Sequence, residues 1–133
     1  MSAIVADTHA VLWSLFDPIR LSRAAQAAID GATQAGSPIY VATISVVEVI
    51  YLVEKGRLPL VVLTTLMQEL SDPQGNLVPV SLDLAIAHSL EAIPRDAVPD
   101  MPDRIIAATA LYLGLPLVTR DAKIRSANVT TIW

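Results

Sequence analysis

The sequence IVADTHAVLW, residues 4–13, decides the fold of this chain. Its first three residues form a short apolar run with two β-branched side chains, which favours a strand. Asp7 follows that strand directly. From Ala10 onward apolar residues recur at helical spacing until Asp17 and Pro18 stop them. A strand that runs straight into a helix is the unit from which parallel α/β sheets are built.

The rest of the chain repeats this alternation of strand and helix. We expect further strands at residues 39–42, 77–80, 117–119 and 129–132, and helices at residues 22–32, 44–54, 60–70, 82–93 and 102–114. Such an order predicts a three-layer α/β/α sandwich with a central parallel sheet of four to five strands and right-handed crossovers. With 133 residues and no internal repeat or linker, we expect one domain spanning residues 1–133.

The composition limits the kinds of site and surroundings. Cysteine is absent, which excludes disulfides and thiolate metal sites and is compatible with a reducing cytoplasm. We predict neither a signal peptide nor a membrane span, and therefore a cytoplasmic protein. A hydrophobic content of 53% is high for so short a chain, so we expect apolar surface reserved for a partner. We expect this surface on the pair of helices at residues 44–54 and 60–70.

Five acidic side chains are expected at one edge of the sheet: Asp7, Glu48, Asp100, Asp103 and Asp121. In parallel α/β folds ligands bind beyond the carboxyl ends of the strands, where the strand order reverses. A lone carboxylate inside an apolar helix, as at Glu48, costs free energy unless it is paired, protonated or bound to a cation. Oxygen ligands without cysteine favour Mg²⁺ or Mn²⁺, ions that usually act on phosphates. The chemistry indicated is phosphodiester hydrolysis.

Each carboxylate also has a purely structural interpretation. Asp7 is a favourable N-cap for the helix beside it, and Asp100 with Asp103 has the spacing of a capping box. Glu48 could pair with a buried arginine, and Asp121 could be an ordinary turn residue. The argument for a site is therefore that the carboxylates coincide.

The overall charge of −4 does not exclude a nucleic-acid substrate. Setting the five proposed site residues aside leaves eight acidic residues against nine basic ones. Arg120, Lys123 and Arg125 lie beside Asp121 in the sequence and Arg104 adjoins Asp103, so positive charge could border the site, although each could equally be a solvated surface residue. The two histidines, His9 and His88, have no evident partner for a catalytic triad.

Four segments of the chain, in order, resemble the motifs of PIN-domain ribonucleases of the VapC toxin type. They are residues 4–13, which contain Asp7; Ser45-Val46-Val47-Glu48; Asp103-Arg104-Ile105-Ile106-Ala107-Ala108-Thr109-Ala110; and Leu117-Val118-Thr119-Arg120-Asp121. The four segments are distributed over the whole length of the chain in the order found in the family. Four motifs in the right order are far more specific than any single motif.

The resemblance implies a metal site with defined members. Asp7, Glu48, Asp103 and Asp121 would form an acidic quartet that holds Mg²⁺ or Mn²⁺, with Asp7 and Asp103 the most direct ligands. Thr119 would hydrogen-bond and orient groups within the site. Supporting positions are Ser45, Arg104 and Asp100. Related sequences often place proline directly after the aspartate equivalent to Asp100, whereas here Met101 follows and proline stands at 102, so a ligand role for Asp100 stays open.

The resemblance also implies an activity and partners. The expected protein is a metal-dependent endoribonuclease, with transfer RNA as one candidate substrate, that acts as the toxin of a toxin-antitoxin pair. Homodimers are implied, as is a cognate antitoxin that covers the site and the apolar helices.

Two other functions share features with this sequence. An aspartyl phosphatase or receiver domain is disfavoured because His9 stands where such phosphatases need a second aspartate and no lysine is well placed. A non-catalytic PIN-like module that binds RNA or a partner is the stronger alternative. The intact acidic set argues against it, because such a module has no need of costly converging carboxylates.

Overall fold

The computed structural model describes residues 2–133, and five short strands within them form one parallel sheet. The strands are β1 (Ile4–Ala6), β2 (Ile39–Ala42), β3 (Leu77–Val80), β4 (Leu117–Val118) and β5 (Thr131–Ile132). Their order is β3-β2-β1-β4-β5, and all neighbours run parallel. The order reverses between β1 and β4, which opens the crevice where such sheets bind ligands.

Helices cover both faces of this sheet. They are α1 (Thr8–Phe16), α2 (Arg23–Ala35), α3 (Thr43–Glu54), α4 (Leu60–Ser71), α5 (Leu84–Ser89), α6 (Met101–Leu113) and α7 (Ala122–Arg125), with short 3₁₀ turns at Pro18–Arg20 and Leu90–Ala92. Successive strand residues point to opposite faces. Ile4 and Ala6 accordingly join a core with α1, α2 and α4, whereas Val5 joins a second core with α5, α6 and α7. The predicted three-layer α/β/α fold with a parallel sheet is confirmed.

Several predicted boundaries were wrong for identifiable reasons. The helix expected to end at residue 32 passes through Gly31 and ends at Gly36, whose φ of 66° permits the left-handed cap. The helix predicted at 82–93 begins only at Leu84, because the Asp83 carboxylate caps it by accepting from the Ile86 N–H. A 3₁₀ turn at Leu90–Ala92 then replaces its last turn.

The last part of the chain also departs from expectation. A short helix, α7, was not predicted, and the final strand covers Thr131–Ile132 instead of 129–132. Four residues are too few to show a helical repeat, so α7 left no periodic signal in the sequence.

The helix pair α3 and α4 exposes apolar side chains, as the sequence predicted. Tyr51 is 58% exposed, and Leu60 and Val61 are 64% and 60% exposed. Contiguous apolar surface on a small protein marks an interaction site. Among the helices of residues 2–133, none has the length and hydrophobicity needed to cross a lipid bilayer.

Substitution of Leu66 tests how α4 is held on the sheet. Leu66 is fully buried in the core shared with α1 and α2, so Leu66→Ala should lower the free energy of unfolding by about 2–5 kcal/mol. Leu60→Ala, in the same helix but exposed, should change it by less than about 0.5 kcal/mol. Urea unfolding measures both, and equal losses in the two variants would contradict the assigned packing.

Candidate active site

A cavity of about 440 Å³, which we call the acidic cavity, opens at the carboxyl ends of β1 and β4, where the strand order reverses. Its lining contains three of the predicted carboxylates together with aromatic and basic side chains: Asp7, His9, Trp13, Asp103, Arg120 and Asp121. The structure therefore brings Asp7, which directly follows β1, together with residues from α1, α6 and the segment after β4 at the place that the topology favours for a ligand.

Asp7 both caps a helix and lines the cavity. One carboxylate oxygen accepts a hydrogen bond of 2.8 Å from the backbone N–H of Ala10, which fixes the start of α1. Only 9% of Asp7 is exposed. Burial raises the pKa of its carboxyl above the usual value, while hydrogen bonds from Thr119 and Ala10 act in the opposite direction. The capping role of Asp7 is therefore present in the structure, and its side chain lines the cavity as well.

Thr119 links the ends of the two central strands. Its side chain is fully buried, and its hydroxyl hydrogen-bonds the Asp7 carboxylate and accepts from the backbone N–H of Asp121 at 3.0 Å. These contacts are compatible with the orienting role that the sequence resemblance implied for Thr119. Asp121 in turn caps α7, accepting from the Lys123 N–H at 2.9 Å, so its side chain is held at the edge of the cavity.

Asp103 carries the strongest electrostatic strain of the site. Burial, as the largest cause, and the neighbouring carboxylates of Asp100, Asp121 and Glu48 together raise its pKa from 3.8 to about 7. Asp100 caps α6 by accepting from the Asp103 N–H at 3.2 Å. The capping role of Asp100 is thus present in the structure, and its carboxylate still lies beside Asp103.

Glu48 is held by the hydroxyl of Thr8, which is itself hydrogen-bonded to the hydroxyl of Ser45. Thr8 Oγ1 lies 2.6 Å from the Glu48 carboxylate and 2.8 Å from Ser45 Oγ. Because a hydroxyl has one proton, Thr8 donates to the carboxylate and Ser45 donates to Thr8. Burial is the main reason that the pKa of Glu48 is raised. Within residues 2–133 the ion pairs are Arg20–Asp17 and His88–Glu91, so the arginine partner considered for Glu48 is not found there.

Thr8 is a site residue that sequence reasoning missed. It is buried, although it is polar and directly follows Asp7. Its place beside Ser45 and Glu48 depends on contacts across about forty residues of chain, as the 37- and 40-residue separations show. A threonine between an aspartate and a helix was the available signal.

Arg104 was predicted to support the site, but in the structure its side chain binds backbone carbonyl groups instead. Its guanidinium donates to the backbone carbonyls of Ile93 and Leu90, both at 3.0 Å. Those bonds fasten the 3₁₀ turn before α6, and Arg104 is not among the residues that line the cavity. Arg120 is the basic residue that reaches the cavity, while Lys123 and Arg125 are exposed on α7.

The carboxylates suit a cation that keeps much of its water. Asp7, Glu48 and Asp103 all have raised pKa values, so each costs free energy to ionise, and a nearby positive charge would offset that cost. Among residues 2–133 no three acidic or histidine side chains lie close enough together to ligate one ion jointly. Mg²⁺ is commonly held by one or two carboxylates and several waters. The carboxylates of Asp7, Asp103 and Asp121 in the cavity lining are oxygen ligands of the kind that such an ion takes.

Comparison with known proteins identifies relatives over the full length. A family model described as PIN domain matches residues 4–129. "Ribonuclease VapC22" of Mycobacterium tuberculosis is 32% identical over 137 residues, covering 100% of both chains. The crystal structure of VapBC2 from Rickettsia felis bound to a DNA fragment from their promoter superimposes with a TM-score of 0.72 at 14% identity, covering 97% of this chain and 96% of the other.

A second solved structure has the same fold. The crystal structure of FitAcB from Neisseria gonorrhoeae gives a TM-score of 0.63 at 21% identity, covering 96% of this chain and 95% of the other. At these identities the two structures support the fold alone. The family model and the full-length relative confirm the resemblance noted in the sequence.

The raised pKa of Asp103 predicts a specific pH dependence of stability. A carboxyl whose pKa rises from 3.8 to about 7 on folding stabilises the protein fully below 3.8, and this contribution is lost as the pH rises through about 7. In metal-free buffer, Asp103→Asn should therefore gain thermal stability relative to wild type as the pH rises from about 4 to about 7.

A matched variant separates this effect from general charge. Asp96 is an exposed carboxylate in the loop before α6, so the difference between Asp96→Asn and wild type should stay nearly constant over the same pH range. Melting temperatures at four pH values measure both differences. Parallel curves for Asp103→Asn and wild type would contradict the electrostatic description of the site.

Proposed function

The chain belongs to the PIN-domain family, and from that premise we propose that it is a metal-dependent endoribonuclease acting as the toxin of a toxin-antitoxin pair. The observation that carries the proposal is the group of carboxylates with raised pKa around one cavity at the switch point of the sheet. We further propose that residues 1–133 act as one domain in the cytoplasm, where RNA is available as substrate.

The chain's own residues divide the catalytic work. Asp7 and Asp103 would hold Mg²⁺ or Mn²⁺, and Glu48 and Asp121 would add negative charge around it. When bound, such an ion acidifies a water and neutralises charge on the phosphate and leaving oxygen. Thr119 keeps the Asp7 carboxylate aimed into the cavity, and the Thr8 hydroxyl holds Glu48 in its rotamer. Both hydroxyls are fixed before any substrate arrives, which lowers the cost of assembling the site.

The alternative of a non-catalytic PIN-like module is disfavoured by electrostatics. A binding surface gains nothing from three carboxylates that burial makes costly to ionise, whereas a metal-dependent hydrolase needs them. The choice of RNA, with transfer RNA as one candidate, depends on contacts outside the acidic cavity.

An apolar cavity beside the acidic one is evidence in favour of a protein partner. It has a volume of about 440 Å³ and lies mainly between α3 and the start of α6, with Glu48 and His9 in its wall. The remaining lining is largely apolar: Ile44, Val47, Tyr51, Leu52, Lys55, Met101 and Pro102. A helix from an antitoxin could bury these side chains and close the acidic site at the same time. The exposed surface of α3 and α4 leaves further apolar area for the proposed homodimer.

Cleavage of RNA tests the proposed activity. Purified protein should cut a structured RNA pool that includes transfer RNA when Mg²⁺ or Mn²⁺ is present, and a chelator should stop it. Since loss of an outer partner of a metal site already costs about 10- to 100-fold, Asp7→Asn and Asp103→Asn should each lower the rate by more than about 100-fold. Gel analysis of end-labelled RNA measures the rates.

The control for this assay is Asp96→Asn, which removes an exposed carboxylate outside the cavity and should cut at the wild-type rate. Equal cutting by wild type and both site variants would show that the activity does not use these carboxylates. No cutting by any form, with transfer RNA in the pool, would favour the binding module.

The apolar cavity predicts where an antitoxin contacts the chain. The VapBC2 complex is bound to DNA "from their promoter", which suggests that the partner of this chain is encoded with it. Tyr51→Asp should weaken capture of that co-expressed protein by roughly 10-fold or more, because the change places a charge in the apolar wall. Tyr112→Asp is the matched control, since Tyr112 is similarly exposed on α6 outside this cavity. Equal capture by the two variants would rule out the assigned interface.

A further inference from the structure

Both tryptophans of the chain lie beside the candidate active site. Trp13 lines the acidic cavity, and its ring centroid is 5.9 Å from that of Trp133 and 5.4 Å from that of His9. The two indoles pack only in part against the hydrophobic core, so each keeps exposed surface. Packing against the core accounts for the buried parts of Trp13 and Trp133. It does not account for their exposed ring surfaces, which together we call the aromatic strip.

A second polar cavity adjoins this strip. It has a volume of about 550 Å³ and is lined by Arg20, Leu21, Ser22, Arg120 and Trp133. We call it the arginine cavity. Its lining contains two guanidinium groups and no acidic side chain, unlike the acidic cavity. Arg120 lines both cavities, so the two lie next to each other with its side chain between them.

Arg20 is oriented by two neighbouring side chains, and its guanidinium group remains exposed. Its guanidinium carbon lies 5.6 Å from the ring centroid of Trp13, in a cation–π arrangement. Its salt bridge to Asp17, at 3.2 Å, joins side chains that are 62% and 48% exposed. Exposed ion pairs of this kind contribute little and exchange readily for other partners. The positive charge of Arg20 is therefore available to a phosphate.

Aromatic faces combined with guanidinium groups are what single-stranded nucleic acid requires. Bases stack on the aromatic rings, and arginines contact the backbone phosphates. A small metabolite would need a more enclosed pocket with converging polar groups. A protein partner would favour apolar residues, which lie instead around Tyr51 in the other cavity.

We propose that the arginine cavity is a nucleotide subsite for single-stranded RNA. A base next to the cleaved phosphodiester stacks on Trp133, and its phosphate lies between Arg20 and Arg120. Arg120 thereby guides the strand from the subsite into the acidic cavity. The inference rests on the proposed ribonuclease function, since it assigns where the substrate of that site lies.

Tryptophan fluorescence tests the subsite directly, because both indoles of the protein lie in it or beside it. A short single-stranded RNA oligonucleotide is titrated into Asp103→Asn protein, which binds without cutting. We expect quenching that saturates. Adding Arg20→Gln or Arg120→Gln should weaken binding, and each should reduce the slope of log K against log salt by about 0.7. Arg57→Gln, an exposed arginine in neither cavity, should change neither quantity.

Substitution of Trp133 separates stacking from charge. Trp133→Leu should weaken RNA binding by roughly 5- to 100-fold, the usual effect of losing one stacked base, whereas Trp133→Phe should restore most of the affinity. Melting curves establish that each variant is folded before binding is measured. A folded Trp133→Leu variant that binds as tightly as the phenylalanine variant would overturn the stacking assignment.

Cleavage by the wild-type protein distinguishes failure of the subsite from failure of the proposed function. If wild type cuts RNA and the Arg20, Arg120 and Trp133 variants bind and cut as Arg57→Gln does, the subsite is wrong and the ribonuclease stands. If wild type cuts nothing but these variants still lose RNA binding, the subsite stands without the activity. Absence of both quenching and cleavage overturns both.

Discussion

Like-charged carboxylates held together at the carboxyl edge of the sheet are the constraint on which this structure depends. Burial raises the pKa values of Asp7, Glu48 and Asp103, and the charge of each opposes ionisation of its neighbours. The protein tolerates this because Thr119 and Thr8 hydrogen-bond two of the three. A fold selected for stability alone would have no reason to gather them.

The topology explains why structural and functional interpretations of these aspartates coincide. In a parallel α/β sheet the carboxyl ends of the strands and the amino ends of the following helices meet at one edge. An aspartate that caps such a helix is therefore carried to the ligand edge. Asp7, Asp100 and Asp121 all cap helices, and all lie near the site. Capping sets the position of each backbone and keeps each carboxylate at the edge where ligands bind.

Much of the fold was predictable because its signals are local. The β-branched strands, the proline at residue 102 and the carboxylates after strands each mark a position without knowledge of distant contacts. The features that were missed or misplaced depend on long-range or very short structure. Arg104 is drawn to carbonyls eleven and fourteen residues away, Thr8 meets a helix about forty residues on, and α7 is four residues long. The place of Arg120 in the linings of both polar cavities depends in the same way on tertiary structure.

Calorimetric titration with Mn²⁺ tests most directly whether these carboxylates form a cation site. The titration is run near pH 6 in two buffers that differ in ionisation enthalpy, so that the heat reports protons released on binding. The account predicts saturable binding with release of protons, because Asp103, with a pKa of about 7, is largely protonated in the free protein and must lose its proton to the metal. It also predicts that Asp103→Asn loses both the affinity and the proton release. Binding that releases no protons and is unchanged in that variant would contradict the account.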